Sequence, residues 1–255
     1  MTIAKIFKLL DSMFAFKDAD EWDNSGFFNF DKDQVINKVL VSLDIDNFTI
    51  DKAIQNNIKL IISHHPVYID INDLKTPHIK KLINKIQAYN ITIISLHTNY
   101  DKSRYGMNYF LLKKLNLIQI KKHHKSDYLF IGKTKKKIRY QLFLEKLKKK
   151  FNLDFVIIDK NDARYVNDSY ISTIGLVAGS GSNCIKEINL SDKVDLFITG
   201  EVKWHLWNFA KNRMITLIDA GHVLEKHFIE SISTILNEQN IEVLKAYPEN
   251  SLIIK

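Results

Sequence analysis

The chain has 255 residues, 45% of them hydrophobic and 26% charged, and 37 Lys or Arg against 29 Asp or Glu give a formal charge of +8. This composition excludes a disordered chain, and the single cysteine, Cys184, excludes an internal disulfide and any thiolate zinc cage. No apolar run approaches the roughly 18 residues of a membrane span, so a cytoplasmic protein with no membrane partner is expected.

The chain opens on MTIAKIFKLLDSMFAF, which Asp11 and Ser12 interrupt and no small-residue cleavage site follows; it reads as an amphipathic helix. From there, short runs rich in Ile, Leu and Val alternate with helical patterns, the rhythm of parallel strands covered on both faces. Helices are expected near 3–15, 48–57, 76–89, 105–115, 138–150, 183–190, 202–212 and 223–238. Strands are expected near 38–44, 59–63, 91–96, 127–132, 153–158, 171–178, 194–199, 214–219 and 241–246.

The positive charge is local. Residues 121–150 hold 12 Lys or Arg against 2 Asp or Glu, a surplus of 10, which leaves 25 against 27 elsewhere. In this segment Ile138, Leu142, Leu147 and Phe151 keep a rough helical stripe, so the lysines read as a solvated helix face, with a nucleic-acid surface as the minority alternative.

Three strand ends carry chemistry. LIISHHPVYID places His64 and His65 side by side; adjacent residues within a strand point to opposite faces, so both serve one site only where the strand ends. Pro66 holds His65 extended and cannot donate to a central ladder. The strand ITIISL likewise delivers His97 and then Asp101, and MITLID runs through Gly221 into His222 and Glu225, whose i,i+3 spacing shares one helix face. Ligands gather at the carboxyl ends of strands in open parallel sheets. Imidazole and carboxylate without thiolate suit Zn, Mn, Fe, Co or Ni. Five or six such groups exceed the three protein ligands of one catalytic zinc and fit two divalent transition-metal ions per chain.

At these residues the sequence resembles the Nif-three-like proteins, also called GTP cyclohydrolase 1 type 2 homologs. The shared motifs, in family order, are Trp22-Asp23-Asn24-Ser25-Gly26, His64-His65-Pro66, His97-Thr98-Asn99-Tyr100-Asp101, Gly179-Ser180-Gly181-Ser182, Thr199-Gly200-Glu201 with His205, and Gly221-His222 with Glu225. The resemblance implies an α/β protein of two interlinked lobes with mostly parallel sheets covered by helices, a dinuclear metal site in the crevice between them, and a toroidal homohexamer. With the softest boundary in the charged stretch 119–127, a first lobe is expected over 1–125, a second over 126–220, and a C-terminal helix and strand, 221–255, that return to the first lobe and complete the site.

Metal ligation carries over to His64, His65, Asp101, His222 and Glu225, with Asp101 or Glu225 bridging. Some relatives place the last glutamate one residue later, where this chain has Lys226. His97 and Glu201 are the catalytic candidates, His97 as a proton shuttle and Glu201 as an orienting group or a helix N-terminal charge. Trp22 closes over the crevice or packs in the core, and the Gly-rich turn at 179–182 is a weak phosphate signal. The implied activity is a metal-dependent hydrolase that acts on a small nucleotide-like or cyclic amide substrate. The alternative is a non-catalytic metal-binding adaptor or regulator that forms a ring.

Overall fold

Where the sequence reads KVLVS, LIIS and TIIS, nearly every residue is buried, as a parallel strand with both faces covered requires. In the computed structural model, which describes residues 1–247, the first sheet contains β1 (Gly26–Phe28), β2 (Lys38–Ser42), β3 (Leu60–Ser63), β4 (Thr92–Ser95) and the C-terminal strand Glu242–Ala246. Its order is β1-β4-β3-β2 and then the C-terminal strand, which pairs with β2; all neighbours are parallel except β1, which runs antiparallel to β4.

Helices start where the chain supplies caps. Thr2, Asp46 and Thr76 accept backbone N–H groups at the starts of Ile3–Met13, Asn47–Gln55 and Pro77–Ala88, and Pro77 at the first helical position is pre-set for the turn. Leu40, Ile45, Ile50, Ile58, Ile61, Leu82, Ile86 and Ile93 pack between the sheet and the last two of these helices. Each such side chain contributes about 1.5–3 kcal/mol on burial.

The register sets the site. Ser42, Ser63 and Ser95 stand level across β2, β3 and β4. Beyond them the ladder continues for one step, His65 donating its N–H to the Leu43 carbonyl and Leu96 its own to Ser63. The chain therefore leaves three adjacent strands at one height.

The second sheet is mixed. It holds β5 (Ile118–Lys122), β6 (Phe130–Arg139), β7 (Ile157–Ile158), β8 (Tyr170–Val177), β9 (Leu196–Thr199) and β10 (Thr216–Asp219), in the order β5-β6-β8-β9-β10-β7. Only β8, β9 and β10 are parallel, and Val177, Thr199 and Asp219 stand level at their carboxyl ends. Phe197, Ile185, Val194, Leu206, Ile215 and Leu217 fill its core.

The expected boundaries shift. The chain divides into one unit of residues 1–103 together with the chain from 228 on, and another of 104–227. The first boundary falls before 125 because Ile118–Lys122, expected in the first lobe, pairs with β6. The last falls after 220 because His222–Lys226 is a 3-10 turn clustered with the second unit.

The basic segment also differs from its expected stripe. Lys133 to Lys137 lie on β6, where four residues, 134–137, bulge opposite the single Ser172. The next helix, Tyr140–Phe151, buries Tyr140, Phe143, Leu147 and Phe151, while Leu142 is exposed and Ile138 belongs to the strand. A helical stripe drawn through Ile138 started one element too early.

Candidate metal centre

In the first unit, His64 ends β3 completely buried, with its ring against Phe228 and Tyr100. The phenol of Tyr100, itself buried and bonded to Ser231, is pushed well above its ordinary pKa by desolvation, so it stays neutral. Nδ1 of His64 lies 2.8 Å from the carbonyl oxygen of Leu96. A carbonyl only accepts, so Nδ1 carries the proton and Nε2 presents a lone pair. That Nε2 faces Oδ1 of Asp101 at 3.7 Å.

The neighbouring imidazoles repeat this polarity. His65 Nδ1 donates to Asp44 Oδ1 at 2.7 Å, and His97 Nδ1 donates to Asp23 Oδ1 at 3.0 Å. Each ring thus keeps Nε2 as its acceptor, the state in which histidine ligates metals, with the other nitrogen held by an oxygen. His64, His65 and His97 each bring one ring nitrogen within 4.8 Å of the others.

Asp23 is buried beside this cluster. Desolvation raises its pKa, but the hydrogen bond from His97, with bonds from Thr98 and Ser25, outweighs burial and holds the carboxyl well below its usual range. It accepts from Ser25 Oγ at 2.7 Å, from the Thr98 N–H at 3.0 Å and from the Thr98 hydroxyl. The WDNSG motif therefore fixes the orientation of His97. Trp22 does not pack in the core: it is 57% exposed, with its ring edge-on to His97 at 5.8 Å.

In the second unit, His222 lies between two carboxylates, its Nδ1 2.7 Å from Glu201 Oε1 and its Nε2 2.7 Å from Glu225 Oε2. A neutral ring donates to only one of them, so one added positive charge, a second proton on the ring or a metal ion, is needed to satisfy both. Glu201 precedes the helix Trp204–Asn212 and orients His222, while His205 stands exposed on that helix.

Three glycines build this edge. Gly179, at φ +58°, leaves room for Glu225; a β-carbon there would fall 2.2 Å from Glu225 Oε1. Gly200 donates its N–H to the Gly179 carbonyl, and a β-carbon on Gly200 would fall 2.8 Å from that oxygen and 3.1 Å from the Gly221 carbonyl. The Gly-rich turn is thus filled by backbone and by Glu225, and the chain leaves it as a 3-10 turn, Gly181–Glu187. A phosphate cradle at 179–182, the weak signal in the sequence, is replaced by a seat for a carboxylate.

The donors fit a divalent transition metal. Nitrogen and oxygen ligands bind zinc at about 2.0–2.2 Å, so a lone pair and a carboxylate oxygen facing each other across 3.7 Å are spaced as ligands of one ion. Sequence reasoning missed Asp44, although Ser42-Leu43-Asp44 ends its strand as Ser63-His64-His65 and Ser95-Leu96-His97 end theirs.

The family model Duf34/NIF3 (NGG1p interacting factor 3) matches residues 1–249. The chain belongs to the DUF34/NIF3 family. Two relatives named GTP cyclohydrolase 1 type 2 homolog come from Ureaplasma parvum, 34% identical over 89% of this chain and 86% of that protein, and Campylobacter jejuni, 30% identical over 98% of each. A Staphylococcus aureus hypothetical protein has the same fold, with a TM-score of 0.86 at 24% identity over 100% of this chain and 99% of its own. So does a Bacillus cereus protein related to NIF3, with a TM-score of 0.84 at 16% identity over 100% and 99% of the two chains. No helix among the described residues is long and apolar enough to cross a membrane.

Proposed function

We propose that this DUF34/NIF3 chain is a hydrolase that holds a pair of divalent transition-metal ions, with His64, His65 and Asp101 of the first unit and His222 and Glu225 of the second as ligands. The observation that carries the reading is the shared polarity of His64, His65 and His97, each with Nδ1 donating to an oxygen and Nε2 as the lone-pair nitrogen. Metal ions, when bound, supply Lewis acidity: they acidify water and polarise the bond under attack.

The side chains supply the rest. His97, oriented by Asp23, accepts a proton at Nε2 from the attacking water and returns it to the leaving group. Glu201 orients His222 through Nδ1. The relatives' names support a purine nucleotide or a related cyclic amide as substrate. The resemblance to the family adds assembly into a homohexamer, which light scattering measures directly.

Elemental analysis tests the reading. Protein purified without chelators carries about two ions per chain, and Asp101→Ala carries fewer, if both donor sets are filled as in two-metal hydrolases. Folded wild-type protein with one ion or none sinks the proposal. Turnover unchanged in His97→Ala, against the roughly 10²–10⁴-fold loss expected of a general base, removes the catalytic role of His97.

A further inference from the structure

At the amino ends of β9 and β10, the end of the sheet opposite Glu201 and His222, a cavity of about 280 Å³ opens among Arg164, Leu190, Lys193, Asp195, Arg213 and Met214. Three cations line it against one carboxylate. That carboxylate is already engaged: Asp195 Oδ2 accepts the Ser172 and Thr173 N–H groups, and Oδ1 lies 3.6 Å from Arg164 Nη2. Arg164 is held in place by the Met214 carbonyl at 2.7 Å, and Arg213 by the Ile188 carbonyl at 2.7 Å and the Phe209 ring. Nε of Arg213 is buried and takes no hydrogen-bond partner among the described residues. A buried unsatisfied donor on a charged group costs more than one on a neutral group.

The rim is apolar and strained. Leu190 is 73% exposed and Met214 74% exposed. The described residues include ten non-glycine positions with positive φ, and seven are Asn or Asp, the residues that tolerate it. Of the other three, Gln119, Lys193 and Met214, two line this cavity. Both end a helical turn, Lys193 capping Leu190–Asp192 and Met214 following Trp204–Asn212, positions where Gly or Asn is usual.

We propose that this cavity binds a small organic anion, a carboxylate or phosphate ester with an apolar body. The head lies on Arg213 and Lys193, where a guanidinium pairs with either oxyanion, and the body lies between Leu190 and Met214. The volume falls just under the range of about 300–1,000 Å³ usual for small-molecule clefts, so the ligand is compact.

Calorimetric titration of the full chain with phenyl phosphate, hexanoate, inorganic phosphate and hexanol tests the site. At least one of the two organic anions binds with a Kd below about 1 mM, and which binds tighter distinguishes phosphate ester from carboxylate. Lys193→Asn, which keeps a residue tolerant of the left-handed backbone, and Arg213→Gln each weaken binding by about tenfold or more, the loss expected for one charge-assisted contact. Arg213→Gln also removes a bond to Ile188, so Lys193→Asn, exposed at the rim, decides the matter if that variant fails to fold. Three outcomes overturn the proposal: neither organic anion binds below about 1 mM; hexanol binds as well as the tighter of the two anions; or inorganic phosphate alone binds, indifferent to Lys193→Asn, as an adventitious ion only.

Discussion

Adjacent histidines occur twice in this chain, at 64–65 and at 123–124, and their surroundings are opposite. His64 and His65 each turn Nδ1 onto an oxygen acceptor, so the outer nitrogen of each ring is a lone pair. His123 is also buried, but its Nδ1 accepts the Lys125 N–H at 3.4 Å and its Nε2 donates to Asp192 Oδ2 at 2.9 Å. Both nitrogens of His123 are consumed within the protein, in the tautomer that offers no lone pair outward. Asp192 closes a capping box with Asn189 as well, so its carboxylate is committed to the loop. The donor atoms of His123, His124 and Asp192 lie as close together as those of His64, His65 and His97. Proximity alone therefore does not separate the two groups; the direction in which each imidazole is protonated does.

Substitution in both pairs sharpens this contrast. The largest effect is expected at the first: His64→Ala lowers the metal content of the purified protein, while His123→Ala leaves it unchanged and lowers stability by about 1–3 kcal/mol, the cost of stranding a buried partner. Elemental analysis beside thermal melting reads both, and metal loss in His123→Ala would break the comparison. Gly179→Ala comes next. Its β-carbon displaces Glu225 and takes on a left-handed backbone, so about 1–3 kcal/mol of stability and part of the metal are lost together.

A finer cut is Asp44→Asn. An amide oxygen still accepts from His65 Nδ1 but carries no charge, so chelator competition should show metal held about 10–100-fold more weakly with the fold intact. The smallest effect belongs to the second pair. His124 is exposed, and His124→Ala shifts stability by no more than about 0.5 kcal/mol. Acid separates the regions too. Burial raises the pKa of Asp192, but the Asn189 N–H and His123 outweigh it and hold it low, so its contact contributes above the ordinary aspartate value of 3.8 and fades as pH falls below it. Asp192→Asn flattens that acid limb of the melting curve.

Much of the frame was legible in the sequence because buried parallel strands spell themselves as unbroken Ile and Val runs. KVLVS, LIIS and TIIS leave no other reading, and Thr76-Pro77 marks a helix start unaided. The histidines were visible for the same reason: polar residues at the end of an apolar run stand out. The features that stayed hidden depend on partners far along the chain. β1 and β5 are short or polar and exist because β4 and β6 offer edges to pair with. Asp44 reads as an ordinary cap until β2 and β3 lie in register, and Gly179 reads as a loose turn until Glu225, 46 positions later, occupies the space its missing side chain leaves. The lysines of β6 kept a helical rhythm only because the bulge opposite Ser172 interrupts strand alternation.

The level row Ser42, Ser63 and Ser95 has a consequence for how relatives can diverge. Because side chains alternate along an extended backbone, inserting or deleting one residue between the row and the imidazoles would swing a donor to the far side of the sheet. Substitutions in these segments can be gradual, whereas changes in length cannot, so indels should collect in connections such as Asp70–Thr76 and be absent from the two positions after each serine.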